Sequence, residues 1–104
     1  GIFIELGAEN PFLAALVNNL PATVGATFTA ADTVNILDVF PELGSYYTYE
    51  GSLTTPPCSQ TVTWFILDTP AEATAAQVEA FHSLLHYNYR PTQPLNGRVI
   101  KRTV

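Results

Sequence analysis

The sequence predicts an α+β chain that is mostly β, and three observations carry that reading. Gln60 to Leu67 alternates with period two, setting Val62, Trp64 and Ile66 on one face and Thr61, Thr63, Phe65 and Leu67 on the other. Two apolar stripes at helical spacing follow polar caps, one after Asn10-Pro11 and one after Thr74. Eight prolines and six glycines divide the remainder into short pieces.

Each element follows from local chemistry. Gly1 to Leu6 is an apolar run with β-branched and aromatic residues, read as a strand that the chain enters midway. Asn10 is a helix N-cap and Pro11 fits the first helical position. Phe12, Leu13, Leu16, Val17 and Leu20 then form one stripe, stopped near Pro21. Residues 22 to 45 read as loop with short strand pieces, densest in apolar residues from Thr33 to Phe40, with turns at Pro41 and Gly44. Tyr46 to Glu50 is strand-like, Gly51 turns, and the loop from Ser52 to Ser59 is stiffened by Pro56 and Pro57. After the Gln60 strand, Thr74 and Gln77 match a capping box; Val78, Phe81, Leu84 and Leu85 line a helix ending near Tyr87. Pro91 and Pro94 keep the tail extended, and Gly97 turns it into a final strand, Arg98 to Val104. No internal repeat is present.

A length of 104 residues allows one small domain. Charged residues make up 12%, about half the usual ~25%, while 47% are hydrophobic. So little charge cannot solvate a whole surface, and the chain is expected to be part of something larger. Its apolar content excludes a disordered tail. Its longest apolar runs fall far short of the ~18 residues that cross a bilayer. All four basic residues, Arg90, Arg98, Lys101 and Arg102, lie near the C-terminal end of a chain of net charge −5, which argues against nucleic acid as a partner. The lone Cys58 is either a buried free thiol or half of a bridge to a cysteine elsewhere.

Most candidate chemistry has an ordinary structural reading. His82 and His86 stand four apart on the second helix, but Ser83, Leu84 and Leu85 between them supply no carboxylate, so they read as surface or packing histidines. Ser45 and Ser52 each follow a glycine but lack the second glycine of a nucleophile elbow. Tyr46, Tyr47 and Tyr49 alternate across a strand and read as core and rim packing. Arg90, between Tyr89 and Pro91, reads as a donor to carbonyls of neighbouring loops. The unusual feature is Leu53-Thr54-Thr55-Pro56-Pro57 before the Val62 and Trp64 strand. Two fixed φ values hold the loop still and Thr55 is pushed extended, which presents two hydroxyls beside an apolar wall. By composition alone, that loop reads as a structural turn.

These residues resemble the α-class carbonic anhydrases. The matching segments are Gly1-Ile2-Phe3, Tyr47 through Cys58 (YTYEGSLTTPPC), Val62-Thr63-Trp64, and Tyr89 through Arg98 (YRPTQPLNGR). They run in the family's order across nearly the whole chain, and Gly-Ser-Leu-Thr-Thr-Pro-Pro followed by Val-x-Trp is highly specific. The resemblance implies a large, twisted, mainly antiparallel central sheet with surface helices, incomplete in this chain. Residues 1–104 would be the C-terminal segment of a single domain whose N-terminal part is absent.

The implied activity is reversible hydration of carbon dioxide to bicarbonate and a proton by zinc-bound hydroxide. The chain would be active only with the complementary N-terminal segment, its partner in this reading. The three histidine ligands of Zn2+ would lie in that segment, since neither His82 nor His86 falls at a ligand position. Thr54 would be the catalytic residue: a hydroxyl that spends its proton on a carboxylate can only accept from the hydroxide, and so aims it. Leu53, Val62 and Trp64 resemble the apolar shelf for carbon dioxide, Thr55 a contact for active-site water and bicarbonate, and Tyr49 a supporting residue behind them. In many bacterial, algal and secreted members a Cys at the position of Cys58 pairs with one near the domain's N-terminus. That pairing implies an oxidising compartment, periplasmic or extracellular. Tyr89 replaces a Trp of many members, and the short stretch from His86 to Asn88 resembles the bacterial and algal pattern. The alternative is a catalytically silent carbonic anhydrase-like binding or scaffold domain that has lost its zinc.

Overall fold

The computed structural model describes residues 1–31, 33–39 and 44–103. In chain order the elements are β1 (Ile4–Leu6), α1 (Pro11–Val17), a 3₁₀ turn (Ile36–Val39), β2 (Tyr46–Gly51), β3 (Val62–Leu67), β4 (Ala71–Ala73), α2 (Ala75–Leu85) and β5 (Lys101–Arg102). β2 is the middle strand of an antiparallel sheet ordered β3-β2-β5, and β1 pairs with β4 in parallel.

The β2–β3 pair carries the fold. Its register sets Tyr49 opposite Trp64, Tyr47 opposite Ile66 and Gly51 opposite Val62, so the period-two alternation read in the sequence forms one side of the sheet. On the other side Thr63 donates to the Glu50 carboxylate at 3.0 Å, and Tyr46 meets Phe65 edge-on at 5.5 Å between ring centres. Gly1 to Phe3 bind the sheets together: the Leu67 amide donates to the Gly1 carbonyl at 3.0 Å and the Ala71 amide to the Phe3 carbonyl at 2.8 Å.

Both helix starts form as their caps dictate. Asn10 caps α1 by accepting from the Leu13 amide at 3.1 Å, with Pro11 following. Thr74 and Gln77 make the expected capping box of α2. The caps are also joined to each other. Gln77 accepts from the Asn10 amide at 3.0 Å and donates to the Asn10 carbonyl at 2.8 Å, while Asn10 Nδ2 donates to the Glu72 carbonyl at 3.1 Å. Asn10 and Gln77 are buried polar residues, and these bonds satisfy them.

Several boundaries differ from expectation: β1 begins only at Ile4 and β3 at Val62. α1 stops at Val17, short of Leu20, because the Asn19 side chain takes the Ala15 carbonyl while the Asn19 and Leu20 amides turn to Leu16 and Val17, three residues back. The expected strand pieces near residue 36 are a 3₁₀ turn, opened by Asn35 accepting from the Leu37 amide at 3.0 Å. α2 ends at Leu85, where His86 takes φ 52° while its amide still donates to the His82 carbonyl. The final strand is confined to Lys101 and Arg102, which face Thr48 and Tyr47. The expectations for Phe40, Pro41 and Val104 lie outside the described residues.

The buried apolar residues are Leu13, Val39, Ala71 and Ala73, while Phe3, Leu6, Tyr87 and Tyr89 are exposed. No helix among the described residues is long and apolar enough to cross a membrane.

Candidate active site

The loop from Ser52 to Ser59 leaves the end of β2 and returns into β3. Its shape is set from within: the Leu53 amide donates to the Ser59 carbonyl at 3.0 Å, and the Cys58 amide to the Thr55 carbonyl at 2.9 Å. The second of these closes a four-residue turn over Pro56 and Pro57, whose mutual peptide bond is cis. Leu53, Thr54 and Thr55 are exposed at its tip. Among the described residues neither threonine hydroxyl is hydrogen-bonded. Val62 and Trp64, half-buried, share the side of β3 that faces Tyr49 and Gly51 across the register.

Where the loop meets the sheet, three side chains grip its base. The Trp64 indole donates to the Ser52 carbonyl at 3.2 Å, and Arg90 Nη1 donates to Ser52 Oγ at 3.1 Å. Arg98 donates to the carbonyls of Glu50 (2.9 Å), Leu95 (2.9 Å) and Pro94 (3.0 Å), with its guanidinium 5.9 Å from the centre of the Tyr49 ring. Gly51 makes this possible. A Cβ there would lie 2.7 Å from Trp64 Cδ1 and 2.9 Å from its Nε1, so the indole crosses the backbone where only glycine leaves room. Sequence reasoning placed Trp64, but missed Gly51 as a clearance, Ser52 as an anchor and Arg98 as the carbonyl clamp, the role it had given to Arg90. A buried indole N–H needs an acceptor, and that requirement was the available signal.

Behind the loop lies a cavity of about 430 Å³ whose lining includes Ser52, Cys58, Arg90 and Arg98 but not Thr54, Thr55, Val62 or Trp64. Cys58 is a half-buried free thiol at φ 57°. His82 and His86 stand 6.4 Å apart, ring to ring, at the exposed end of α2, with Tyr87 edge-on to His82 at 5.2 Å. Among the described residues no three His, Cys, Asp or Glu side chains converge to hold a metal. The described residues therefore do not supply a donor set that fits a zinc site.

Away from the loop, Asp68 receives Arg102 and the Ser45 hydroxyl, the latter at 2.8 Å. The Arg102 hydrogen bond, followed by that of Ser45, holds the Asp68 carboxyl below its ordinary value, and Asp68 raises Arg102 in return.

With this geometry in place, comparison with known proteins is informative. The family model for eukaryotic-type carbonic anhydrase matches residues 1–104. The carbonic anhydrase of Pectobacterium carotovorum is 43% identical over 100 residues, covering 95% of this chain and 41% of that protein. The α-carbonic anhydrase of Thermovibrio ammonificans, solved in complex with the inhibitor sulfanilamide, superposes with a TM-score of 0.91 at 38% identity, covering 96% of this chain and 45% of that one. The Photobacterium profundum α-carbonic anhydrase superposes at 0.89 with 37% identity, over 95% of this chain and 46% of that one. The chain thus spans under half the length of these relatives. Sequence and fold agree from end to end: this chain belongs to the eukaryotic-type, or α-class, carbonic anhydrase family.

Proposed function

We propose that this chain is the C-terminal segment of a carbonic anhydrase domain that reversibly hydrates carbon dioxide to bicarbonate and a proton, and that it contributes the threonine loop and the apolar substrate wall. The observation that carries this reading is the Leu53–Pro57 loop. It is braced at its base by Trp64, yet it presents two hydroxyls that form no hydrogen bond among the described residues.

The chemistry asked of these side chains is modest. Carbon dioxide is small, linear and apolar, so it needs a dry shelf; in this reading Val62 and Trp64 on one side of β3, together with the exposed Leu53, supply it. Thr54 Oγ1 has one proton and two lone pairs. If its proton goes to a carboxylate, its lone pairs accept only from an attacking oxygen that still carries hydrogen, which turns the attacking lone pair toward the substrate. In this reading the exposed Thr55 would receive product oxygens, and Tyr49, opposite Trp64 in the register, would back it. Zinc enters this reading as a cofactor whose three histidine ligands come from outside the chain. The reading extends to a bridge from Cys58 to a cysteine outside the chain, and hence to a periplasmic or extracellular location.

The test is to purify the protein as it occurs, to measure its intact mass with and without reductant, and to assay zinc and hydration on the same sample. We expect a second polypeptide or a longer chain, about one zinc per domain, and hydration inhibited by sulfanilamide. Thr54→Ala should slow turnover about 100-fold with zinc content unchanged, an aiming loss of the size that misplacing a reacting group brings. A complete domain with neither zinc nor hydration would instead identify the silent scaffold domain.

A further inference from the structure

We propose that Arg90 and Ser52 form a relay that orients the peptide preceding Thr54, making Arg90 a positioning residue for the reaction; the inference rests on the role given to Thr54 above. Among the described residues the Thr54 side chain has no hydrogen-bonded partner, so its direction is inherited from its backbone. The bonds within the loop fix the shape of the turn, but they do not fix the Leu53–Thr54 peptide plane. Ser52 does. Its Oγ accepts from Arg90 Nη1 at 3.1 Å and donates to the Leu53 carbonyl at 3.0 Å.

A hydroxyl has a single proton, and with the Arg90 guanidinium occupying a lone pair, that proton is directed to Leu53. The charged donor also strengthens the second bond. The Leu53 carbonyl belongs to the peptide that carries the Thr54 amide, so holding it limits rotation about the bond that swings Thr54. The Trp64 indole fixes the Ser52 carbonyl independently at 3.2 Å, so the base of the loop stays in place when the relay is cut.

The experiment is made on the zinc-loaded, complete protein with Ser52→Ala, Arg90→Ala, Arg90→Lys, the Ser52→Ala/Arg90→Ala double variant, and Thr54→Ala alongside. We expect Ser52→Ala and Arg90→Ala each to lower kcat about 10-fold, a partial misaiming, with KM and zinc content nearly unchanged. The double variant should be no slower than either single one, and Arg90→Lys, which keeps one donor, should recover most of the loss. The Thr54 amide nitrogen resonance should shift alike in both alanine variants and return in Arg90→Lys.

If Thr54→Ala is slow while Ser52→Ala turns over normally, the relay is wrong and the role of Thr54 stands. If Thr54→Ala is itself unimpaired, the reading of Thr54 fails and the relay falls with it. Lower melting temperature with normal turnover per zinc would reduce Arg90 to a structural residue and overturn the proposal. Should Arg90→Ala not fold, Ser52→Ala, which removes a single oxygen, decides the matter.

Discussion

At Asp68 the direction of the pKa shift fixes a pH dependence. Arg102 and Ser45 hold its folded-state value below that of the unfolded chain. A depressed carboxyl stabilises the fold above the unfolded value, near ~4, and loses that contribution as pH falls through the lowered one. Asp68→Asn should therefore lower the melting temperature slightly at neutral pH, and the gap from the parent should close as the pH falls below about 4 in a thermal series. The pair is solvent-exposed, so a large gap would contradict this account. Little of it was legible beforehand, because ion pairing between residues 34 apart needs a strand register. Val62 and Trp64 were legible, since alternation alone assigns them to one side. Gly51 and Ser52 were not: their importance comes from an indole that arrives from the neighbouring strand.

Among the elements, the two helix starts behave as one unit. Gln77 serves its own capping box and also binds both backbone groups of Asn10. Gln77→Ala leaves the buried Asn10 amide unpaired, while the Asn10 carbonyl keeps the Ala14 amide at 2.9 Å, at a cost of about 1–3 kcal/mol in denaturant unfolding. Gln77→Glu restores an acceptor for the amide but puts a carboxylate against the Asn10 carbonyl, so it should recover only part of the loss. Each cap was legible because capping chemistry is local. Their mutual bonding was not, being long-range. β4 was missed for a related reason: alanine has little strand preference, and it is the parallel pairing with β1 that makes Ala71–Ala73 extended.

Over the whole molecule, the mismatch between apolar content and charge reappears as surface. Phe3, Leu6, Val24, Val99 and the two tyrosines after α2 are each at least two-thirds exposed, and the relatives superposed on this chain are more than twice its length. By itself the chain should bind an apolar dye strongly and self-associate with rising concentration; supplying the rest of the domain should suppress both, as followed by dye fluorescence and sedimentation. Composition made this excess of apolar surface legible, while the expectation of a larger sheet than the five strands among the described residues rests on the resemblance.

The bonds between Asn10 and Gln77 also bear on how the chain is made. Synthesis runs from the N-terminus, and Asn10 leaves the ribosome 67 residues before its anchor. Gly1 and Phe3 likewise wait for Leu67 and Ala71. These bonds can therefore form only once the β2–β3 hairpin and the start of α2 have emerged. A nascent chain stalled before Gln77 would hold α1 with its own cap in place but without the bonds that tie it to α2.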